Sequence, residues 1–492
     1  MSTNTRMYGR WEKPRSAGFF GLTWGASMLG LGLVVAMMVT FMLSRSVSVI
    51  AVMLLTSAVV FVPLVVTVHG RTGWEVATVR AQYAMARQRG ELSYRAGRFS
   101  RIPGTARLPG LLADSSLSEY ETAGGRRFAM IHIRRPDHYS VIVRVVPRGK
   151  ELVDQAQIDS WVEGYGQFLA AQSRGGEVVA VTAVLESVVE TRLKQRREVA
   201  RLVRPVAPDF AAAVMREAAA DSGGTGARIE ARITLTYRAI GKGRIRRDPE
   251  EQAREIGQRL QGVLSQLARA GLPATPLQGW EVIGLVRARY DLAAQRDIEA
   301  AGPALADTQS WDKAGPLAHE DRWDHYLHDG ARSITWEMDG APRGAVTETG
   351  LEELLRPRAD VPRKRVAIVY RLHSAAEATK LVDSDFRDAL AAEQTERGIA
   401  SASASLRVGN TNAARQEHAQ GAGLTRFGVL ITVTDTVDAD MPGIEASVQG
   451  MSAAARLDVR RCYGSQAASF AASLGIGLIL PEHASVTKRV SA

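Results

Sequence analysis

The residues most able to do chemistry form one short polar group in the second half of the chain. This group consists of His319, Glu320, Asp321, Asp324, His325 and His328. Histidine and carboxylate side chains together can bind zinc or iron. If the stretch is helical, His325 and His328 lie three positions apart on one face, but the spacing matches no standard ligand motif. We keep metal-dependent catalysis by this group as a hypothesis and predict no catalytic, cofactor or metal residue.

The sequence lacks the motif that holds nucleotide phosphates. A phosphate loop, G-x-x-x-x-G-K-[ST], needs successive backbone N–H groups and a lysine, and the glycine clusters at 223–224 and 241–243 do not have that pattern. Asp435 follows the apolar run 429–433, where an ATPase would carry a metal-holding Asp. Without a phosphate loop we interpret Asp435 as a strand-end turn residue. No histidine lies near Cys462 in the sequence, so we expect a buried or neutral thiol there.

The elements that would position these residues alternate between strands and helices. Apolar residues alternate at 128–134 and 139–146, on either side of Pro136 and Asp137, and this pattern predicts a β-hairpin. The other predicted strands are 178–185, 228–239 (with one wet face), 333–338, 365–372, 425–434 and 457–459. The other predicted helices are 154–172, 208–220, 250–270, 282–292, 375–397, 441–455 and 466–474. Together they predict an α+β fold, ferredoxin-like in places.

Two long uncharged runs precede this region. Residues 18–44 and 46–68 carry no charged side chain, and Arg45 separates them. About 20 apolar residues are enough to cross a bilayer as a helix, so we predict a transmembrane helical hairpin over residues 18–69, kinked near Pro63. A signal peptide is disfavoured because the first run is too long and no small-residue cleavage site closes it. The length of both runs disfavours a buried soluble hairpin.

The basic residues predict an orientation for this hairpin. Arginine and lysine flank both runs on the outside, whereas the turn between the runs has only Arg45. By the positive-inside rule both termini face the cytoplasm, which predicts a multi-pass protein of the plasma (inner) membrane. Trp11, Trp24 and Trp74 are placed as interfacial anchors. The basic stretch 74–94 is interpreted as a helix that either lies on the inner leaflet or forms an amphipathic connector.

The composition divides the chain into six predicted segments. They are a basic cytoplasmic N-terminus (1–17), the transmembrane hairpin (18–69), a basic juxtamembrane helix and linker (70–110), a first α/β unit (111–300), a polar connector (301–332) and a second α/β unit (333–492). Glycines and prolines between 97 and 110 support the linker. Since Cys462 is the only cysteine, no intrachain disulfide can form, which fits a reducing compartment.

The formal net charge of +10 has two interpretations. Basic runs at 192–204, 244–247 and 363–365 could contact anionic lipid or nucleic acid. Acidic residues interleave with or follow the first two runs, and no nucleic-acid recognition motif accompanies them, so solvated helix surface is favoured. The third run precedes a strand and is predicted to protect its edge. We therefore expect no direct nucleic-acid contact and attribute the charge to membrane topology.

Several features together resemble a family of conjugation proteins. The two close apolar runs, the basic helix after them and Tyr94-Arg95-Ala96-Gly97 resemble the small PrgI-like inner-membrane subunit of type IV secretion systems. Residues 128–169 resemble the amino-terminal, non-motor domain of the partner ATPases. The tail from Gln466 through Phe470 to Gly477 resembles the segment that closes that domain. The combination is similar to membrane proteins of actinobacterial conjugative elements, although Leu474-Gly475-Ile476-Gly477 lacks the usual proline before the last glycine.

The resemblance implies a non-enzymatic inner-membrane scaffold of a conjugative type IV secretion (DNA-transfer) apparatus. Its cytoplasmic domain would dock a separate ATPase, and no ATPase activity is implied for this chain because the phosphate loop is absent. The other implied partners are membrane channel subunits, the phospholipid membrane and further copies of the chain in a homo-oligomer. Two alternatives stay open. One is a type VII secretion membrane subunit of the EccE kind, and the other is a membrane-anchored metal enzyme that uses the group from His319 to His328.

Overall fold

The structure is a computed structural model that describes residues 9, 24–43, 47–68, 71–100, 102–149, 153–202, 208–221, 226–239, 248–340, 342, 344, 346–395 and 402–483. Its strands are β1 (Thr67–Val68), β2 (Arg71–Thr72), β3 (Ser93–Arg95), β4 (Ser115–Glu121), β5 (Arg127–Ile133), β6 (His138–Val145), β7 (Val178–Val189), β8 (Ala227–Arg238), β9 (Ala274–Pro276), β10 (Ala318–Asp321), β11 (Tyr326–His328), β12 (Ala331–Met338), β13 (Lys364–Leu372), β14 (Thr425–Thr436) and β15 (Val459–Arg461).

Helices lie at both ends of the described chain and between the strands. They are α1 (Trp24–Leu43), α2 (Val47–Val65), α3 (Gly73–Gln88), α4 (Gln155–Arg174), α5 (Leu193–Leu202), α6 (Asp209–Asp221), α7 (Pro249–Arg269), α8 (Gly279–Tyr290), α9 (Gln295–Ala301), α10 (Leu305–Thr308), α11 (Glu352–Leu355), α12 (Ala375–Thr395), α13 (Ala402–Ala419), α14 (Met441–Ala454), α15 (Gln466–Ser473) and α16 (Leu480–His483). The predicted mixture of helix and sheet is confirmed.

The N-terminal helices contradict the prediction of a membrane-spanning hairpin, which is therefore wrong. The two uncharged runs contain helices of 20 and 19 residues, shorter than the runs themselves. Among the described residues, no helix has both the length and the apolar character that crossing a bilayer requires. The transmembrane segment 18–69 and the multi-pass plasma-membrane location that rested on it are corrected accordingly. Arg45 and Trp11, which supported the orientation, lie outside the described residues.

Helix α3 joins the N-terminal helices to the rest of the fold. Its first turn has a capping box, in which the Thr72 hydroxyl accepts from the Glu75 N–H at 3.3 Å and the Glu75 carboxylate accepts from the Thr72 N–H at 2.9 Å. Beyond the cap, Tyr83 donates its hydroxyl hydrogen to the carbonyl oxygen of Asp321 at 3.2 Å. Arg71 pairs with Glu337 of β12 at 2.7 Å. The basic stretch predicted as a helix at 74–94 is helical as far as Gln88, whereas Tyr94 lies in β3. Helix α3 is held against the sheet by the Tyr83 contact.

One sheet of thirteen strands organises the described chain. Its central part contains two units of the same topology. In the first unit, β6, α4, β7, β8, α7 and β9 follow in chain order, and the strands lie side by side as β7-β8-β6-β9. In the second unit, β12, α11, β13, β14, α14 and β15 follow in chain order, and the strands lie as β13-β14-β12-β15. Both are βαββαβ arrangements of the ferredoxin-like kind.

The two units meet through their second strands. Strands β7 and β13 pair antiparallel over eight residue pairs, with Arg365 directly opposite Glu186 and Val366 opposite Leu185. Each unit also has two helices inserted between its second and third strands, α5 and α6 in the first and α12 and α13 in the second. Because equivalent strands pair antiparallel, a pseudo-two-fold axis passes between β7 and β13, and the two sheets continue into one another.

The sheet carries helices on both faces. On the first face, α4 and α7 cover the first unit around Phe168 and Leu260, and α14 covers the second unit around Val448. On the second face, α8 packs over β4 and β5, while α15 packs over β11 to β14. Helix α15 and the residues after it lie across both units. We call residues 466–479 the closing segment.

Two glycines allow the closing segment to lie directly on the sheet. Gly475 and Gly477 both have positive φ, at 66° and 95°. A Cβ at Gly475 would overlap the Val184 side chain of β7, and one at Gly477 would overlap the Ser140 side chain of β6. Glycine is therefore required at both positions by the backbone conformation and by the close approach.

Gly477→Ala is expected to destabilise the full chain by about 2–4 kcal/mol, because the new methyl group both overlaps Ser140 and occupies a left-handed conformation. Urea unfolding measures this change. The matched control is Gly450→Ala in α14, where a Cβ meets nothing within 4 Å and a change between zero and about 1 kcal/mol of stabilisation is expected. Equal stability of the Gly477→Ala variant and the wild type would show that the closing segment does not pack as described.

Candidate functional site

The polar group from His319 to His328 does not form a helix. Strands β10 and β11 pair antiparallel, with His319 opposite His328. His328 is buried, and its two ring nitrogens lie 2.6 Å from the Tyr290 carbonyl oxygen and 2.8 Å from the Ser333 hydroxyl. The His319 ring stacks on Tyr94 with 5.5 Å between ring centroids. The helical face that would have brought His325 and His328 together is absent, because these residues lie in and beside strands.

The histidines of this group contact neighbouring side chains and backbone. Burial lowers the pKa of both His319 and His328 to about 4, so both rings are neutral near pH 7. His325 lies beside the Asp324 carboxylate at 2.8 Å. In the part of the chain that the structure describes, no three His, Cys, Asp or Glu residues are grouped to hold a metal ion. The geometry gives no support to metal binding by this group.

Asp321 connects the same group to the closing segment. One carboxylate oxygen accepts from the Ala467 N–H at 3.0 Å, in the first turn of α15. Burial raises the pKa of Asp321 to about 6, and the hydrogen bond from Ala467 opposes this rise only in part. Among the described residues, no basic side chain forms an ion pair with this carboxylate, so its ionised form is costly inside the folded chain.

The closing segment lies on a buried polar stripe of the second face. The stripe consists of the inward side chains of six neighbouring strands: Ser140, Thr182, Glu186, Arg232, Thr234, Thr236, Ser333, Thr335, Arg365, Thr432 and Thr434. The Gln466 side chain accepts a hydrogen bond from the Thr335 N–H at 2.8 Å and donates one to the Thr335 carbonyl oxygen at 3.2 Å. At the other end, Arg232 donates twice to the Leu474 carbonyl oxygen, at 3.2 and 2.9 Å. The segment is thus bonded to both units.

Glu186 is the centre of the stripe. Its carboxylate accepts from three arginines: Arg232 at 2.9 Å, Arg289 at 3.0 Å and Arg365 at 3.2 Å. Burial alone would raise the pKa of Glu186, but the three guanidinium groups outweigh this and hold the pKa well below its ordinary range. Arg232 belongs to the first unit, Arg289 to α8 and Arg365 to the second unit, so this one carboxylate joins all three electrostatically.

The ion network extends outward from Glu186 along β8. Glu230 lies directly opposite Glu186 across β7 and β8, and Arg289 bridges the two carboxylates by donating to Glu230 at 2.6 Å. Arg228 then pairs with Glu230 at 2.6 Å and with Glu299 at 3.0 Å. Two carboxylates facing each other across strands would repel, and Arg289 removes that repulsion. The network therefore fixes α8 against the sheet.

The basic run at 363–365 was predicted to protect a strand edge, and this is wrong. Strand β13 is a central strand between β14 and β7, and Lys364 and Arg365 are only 2% and 3% exposed. Lys364 donates to the Arg356 carbonyl oxygen at 2.8 Å on the first face. Arg365 points to the second face, toward Glu186. Sequence reasoning missed this site because the only signal was a charge next to a strand, which is more often surface.

The other residues singled out by the sequence have structural roles where they are described. Cys462 is a free, buried thiol, and burial raises its pKa to about 12. Asp435 lies within β14 and its carboxylate accepts from the Thr436 N–H at 2.8 Å. In the first basic run, Arg197 donates to the Glu299 carbonyl oxygen at 2.8 Å. The glycine clusters at 223–224 and 241–243 and the basic run 244–247 lie outside the described residues.

An open groove runs between the two units on the first face. Its volume is about 1090 Å³, and it lies between α4, the end of α7 and the stretch from 417 to 425. Its charged lining residues are mixed in sign: Glu163, Arg174, Arg269 and Glu417. Gly423 approaches Ala170 so closely that a Cβ there would lie 2.9 Å from the Ala170 Cα. The stretch that contains Gly423 is therefore packed directly against α4.

The N-terminal part of the chain matches a protein family. Residues 15–75 match the family described as a domain of unknown function, DUF8461. This match covers α1, α2 and the start of α3, away from the polar stripe and the groove. None of the curated proteins matches the chain.

Asp321→Asn is expected to change the pH dependence of stability. A carboxyl whose folded pKa is about 6, above its ordinary value of 3.8, contributes stability that is complete below about pH 4 and is lost as the pH rises through 6. The asparagine stays neutral and keeps an oxygen that can accept from Ala467. The variant should therefore gain stability relative to the wild type between pH 4 and 7, as measured by urea unfolding.

The exposed Asp312→Asn serves as the matched control, because its side chain lies outside this contact. Its stability difference from the wild type should stay constant over the same pH range. If the Asp321→Asn difference were also constant with pH, the carboxylate would not be buried as described.

Proposed function

We propose that this chain is a non-enzymatic scaffold subunit of a conjugative type IV secretion (DNA-transfer) apparatus that docks a separate ATPase. The proposal rests on the structural role of the buried polar residues, which hold the two units together. Three arginines donate to Glu186, and one of them, Arg232, also donates to the closing segment. Within the described ranges, these residues join two units into one body, and no group of metal-holding side chains is present beside them.

The closing segment supports the link to the ATPase family. The resemblance noted in the sequence rested on Gln466, Phe470 and Gly477. In the structure Gln466 and Phe470 are fully buried, and Phe470 lies under the Arg365 guanidinium with 4.9 Å to its ring centroid. A buried segment of this kind would complete a folded scaffold to which a separate motor protein can bind.

The groove between the units is the docking surface in this proposal. Both units line it, so a partner bound there would contact the joined body rather than one half of it. Arg269 and Glu417 provide charges of both signs at its edges, which suits a partner surface with complementary charges. The volume of about 1090 Å³ and the open shape fit an inserted loop or helix end of another protein.

Reversing one groove charge is expected to weaken binding of the ATPase. In co-purification from cells that express the full chain and its secretion partners, Arg269→Glu should lower the recovered ATPase about tenfold, equivalent to about 1.4 kcal/mol of lost complementarity. The matched control is Arg254→Glu, an exposed arginine of the same helix that does not line the groove. The control should recover as much ATPase as the wild type.

Three results would contradict parts of this proposal. Failure of the wild-type chain to retain any secretion ATPase under mild conditions would count against the scaffold role. Equal recovery by the Arg269→Glu and Arg254→Glu variants would remove the groove as the docking surface. Recovery of a type VII secretion ATPase in place of a conjugation ATPase would support the EccE-like alternative.

A further inference from the structure

The two halves of the sheet match strand for strand, except at the outer edge. Outward from the junction of β13 and β7, the second half continues as β14, β12, β11, β10 and β3, and the first half continues as β8, β6, β5 and β4. Strand β10 is thus the counterpart of β4, and its edge is covered by β3 over three residue pairs. The outer edge of β4 has no partner strand among the described residues. We call this side of residues 115–121 the free edge.

The backbone groups on the free edge belong to alternate residues of β4. In the turn between β4 and β5, the Thr122 N–H donates to the Arg126 carbonyl oxygen at 2.9 Å, so these two residues form a hydrogen-bonded pair. Bonded and non-bonded pairs alternate along an antiparallel ladder, so the odd-numbered residues of β4, such as Glu119, turn their N–H and C=O groups away from β5. Ala129, opposite Glu119, agrees with this, because its N–H donates to the Leu277 carbonyl oxygen at 2.8 Å.

The free edge lacks most of the features that keep edge strands from pairing. Natural sheets protect an edge with proline, lysine, a bulge or a very short strand. Strand β4 has seven residues without proline or lysine, and three of them are serine, whereas β3 has only three residues. The charge of Glu119 is already engaged, since its carboxylate accepts from the Gly279 N–H at 2.7 Å and lies 3.8 Å from Arg127. An edge of this kind can add another strand.

The outward residues restrict how a second copy of β4 can pair with this edge. Because only odd-numbered residues face outward, the two strands must meet odd to odd. The antiparallel register that pairs all seven residues is centred on Ser118. It places Glu119 opposite Leu117 of the second copy, so that no two glutamates face each other directly. The next register, centred on Glu119, would place two glutamates face to face. The charge pattern therefore favours the register with the most residue pairs.

The ends of the two strands are also complementary in charge. Asp114 is exposed immediately before β4, and Arg126 is exposed in the turn that follows β4. In the register centred on Ser118, Asp114 lies opposite Thr122 of the second copy, which is the residue that pairs with Arg126 in that turn. The contact occurs twice because the arrangement has two-fold symmetry. We propose that β4 binds β4 of a second copy of this chain, so that the sheet continues across a dimer.

The dimer is expected to be reversible, because two short strands form a small interface. Sedimentation velocity of the purified full chain should show a dimer fraction that rises with concentration. Glu119→Pro removes an outward N–H without removing a bond to β5, so it should raise the Kd of the dimer at least about tenfold. The matched control, Glu119→Ala, loses the same carboxylate but keeps the N–H, and it should dimerise as the wild type does.

Hydrogen exchange gives a second measurement that needs no substitution. In the wild type, the outward amides of Leu117 and Glu119 should exchange more slowly as the protein concentration rises. The amides of Ser118 and Tyr120 bond to β5 and should exchange at a rate that does not depend on concentration.

Three results would overturn the proposal. The first is a full chain that stays monomeric at every concentration. The second is a Glu119→Pro variant that dimerises as tightly as Glu119→Ala, since the interface would then lie elsewhere. The third is exchange of the outward amides that does not change with concentration, since the edge would then be either uncovered or covered within one chain. None of these results depends on the proposed docking of an ATPase.

Discussion

The buried carboxylate of Glu186 is the interaction on which the described architecture depends. It lies opposite Arg365 in the register between β7 and β13, and it also accepts from Arg232 and Arg289. A slip of one residue between these strands would turn Arg365 to the other face and leave buried charges unpaired. Such an ion cluster adds little net stability compared with an apolar core, but breaking it costs about 3–5 kcal/mol. Its main effect is to specify how the two units join.

The closing segment depends on the same cluster. Because both units turn polar side chains toward the second face, that face needs a cover that offers backbone acceptors as well as apolar side chains. Leu474 supplies a carbonyl oxygen to Arg232, while Phe470 and Ile476 supply apolar surface. The two glycines at 475 and 477 let the backbone come close enough to make these bonds. A chain built in this way is suited to hold a fixed shape for partners, as the proposed scaffold role requires.

Many elements of the sheet region follow from the sequence, whereas their assembly does not. Apolar periodicity predicted the hairpin of β5 and β6 and the helix α7, since one face of each packs on a core. Strand β8 was predicted to have one wet face, yet Arg232 and Thr234 are buried there. Alternation shows which residues share a face, but not that a segment more than 240 residues later covers it. For the same reason, the sequence pattern did not show the role of Arg365, and it favoured a helix at His325. At the N-terminus, the absence of charge predicted apolar helices correctly but led to a transmembrane hairpin that the described helices contradict.

The two units form one cooperative body that is joined at Glu186. Native-state hydrogen exchange on the full chain tests this claim most directly. In the wild type, the slowest amides of β8 and β14 should open with the same free energy and the same denaturant dependence. In the Glu186→Gln variant, the amides of β14 should open at a lower free energy than those of β8, because the junction is weakened. If β14 already opened independently of β8 in the wild type, or if Glu186→Gln left both unchanged, the account would be contradicted.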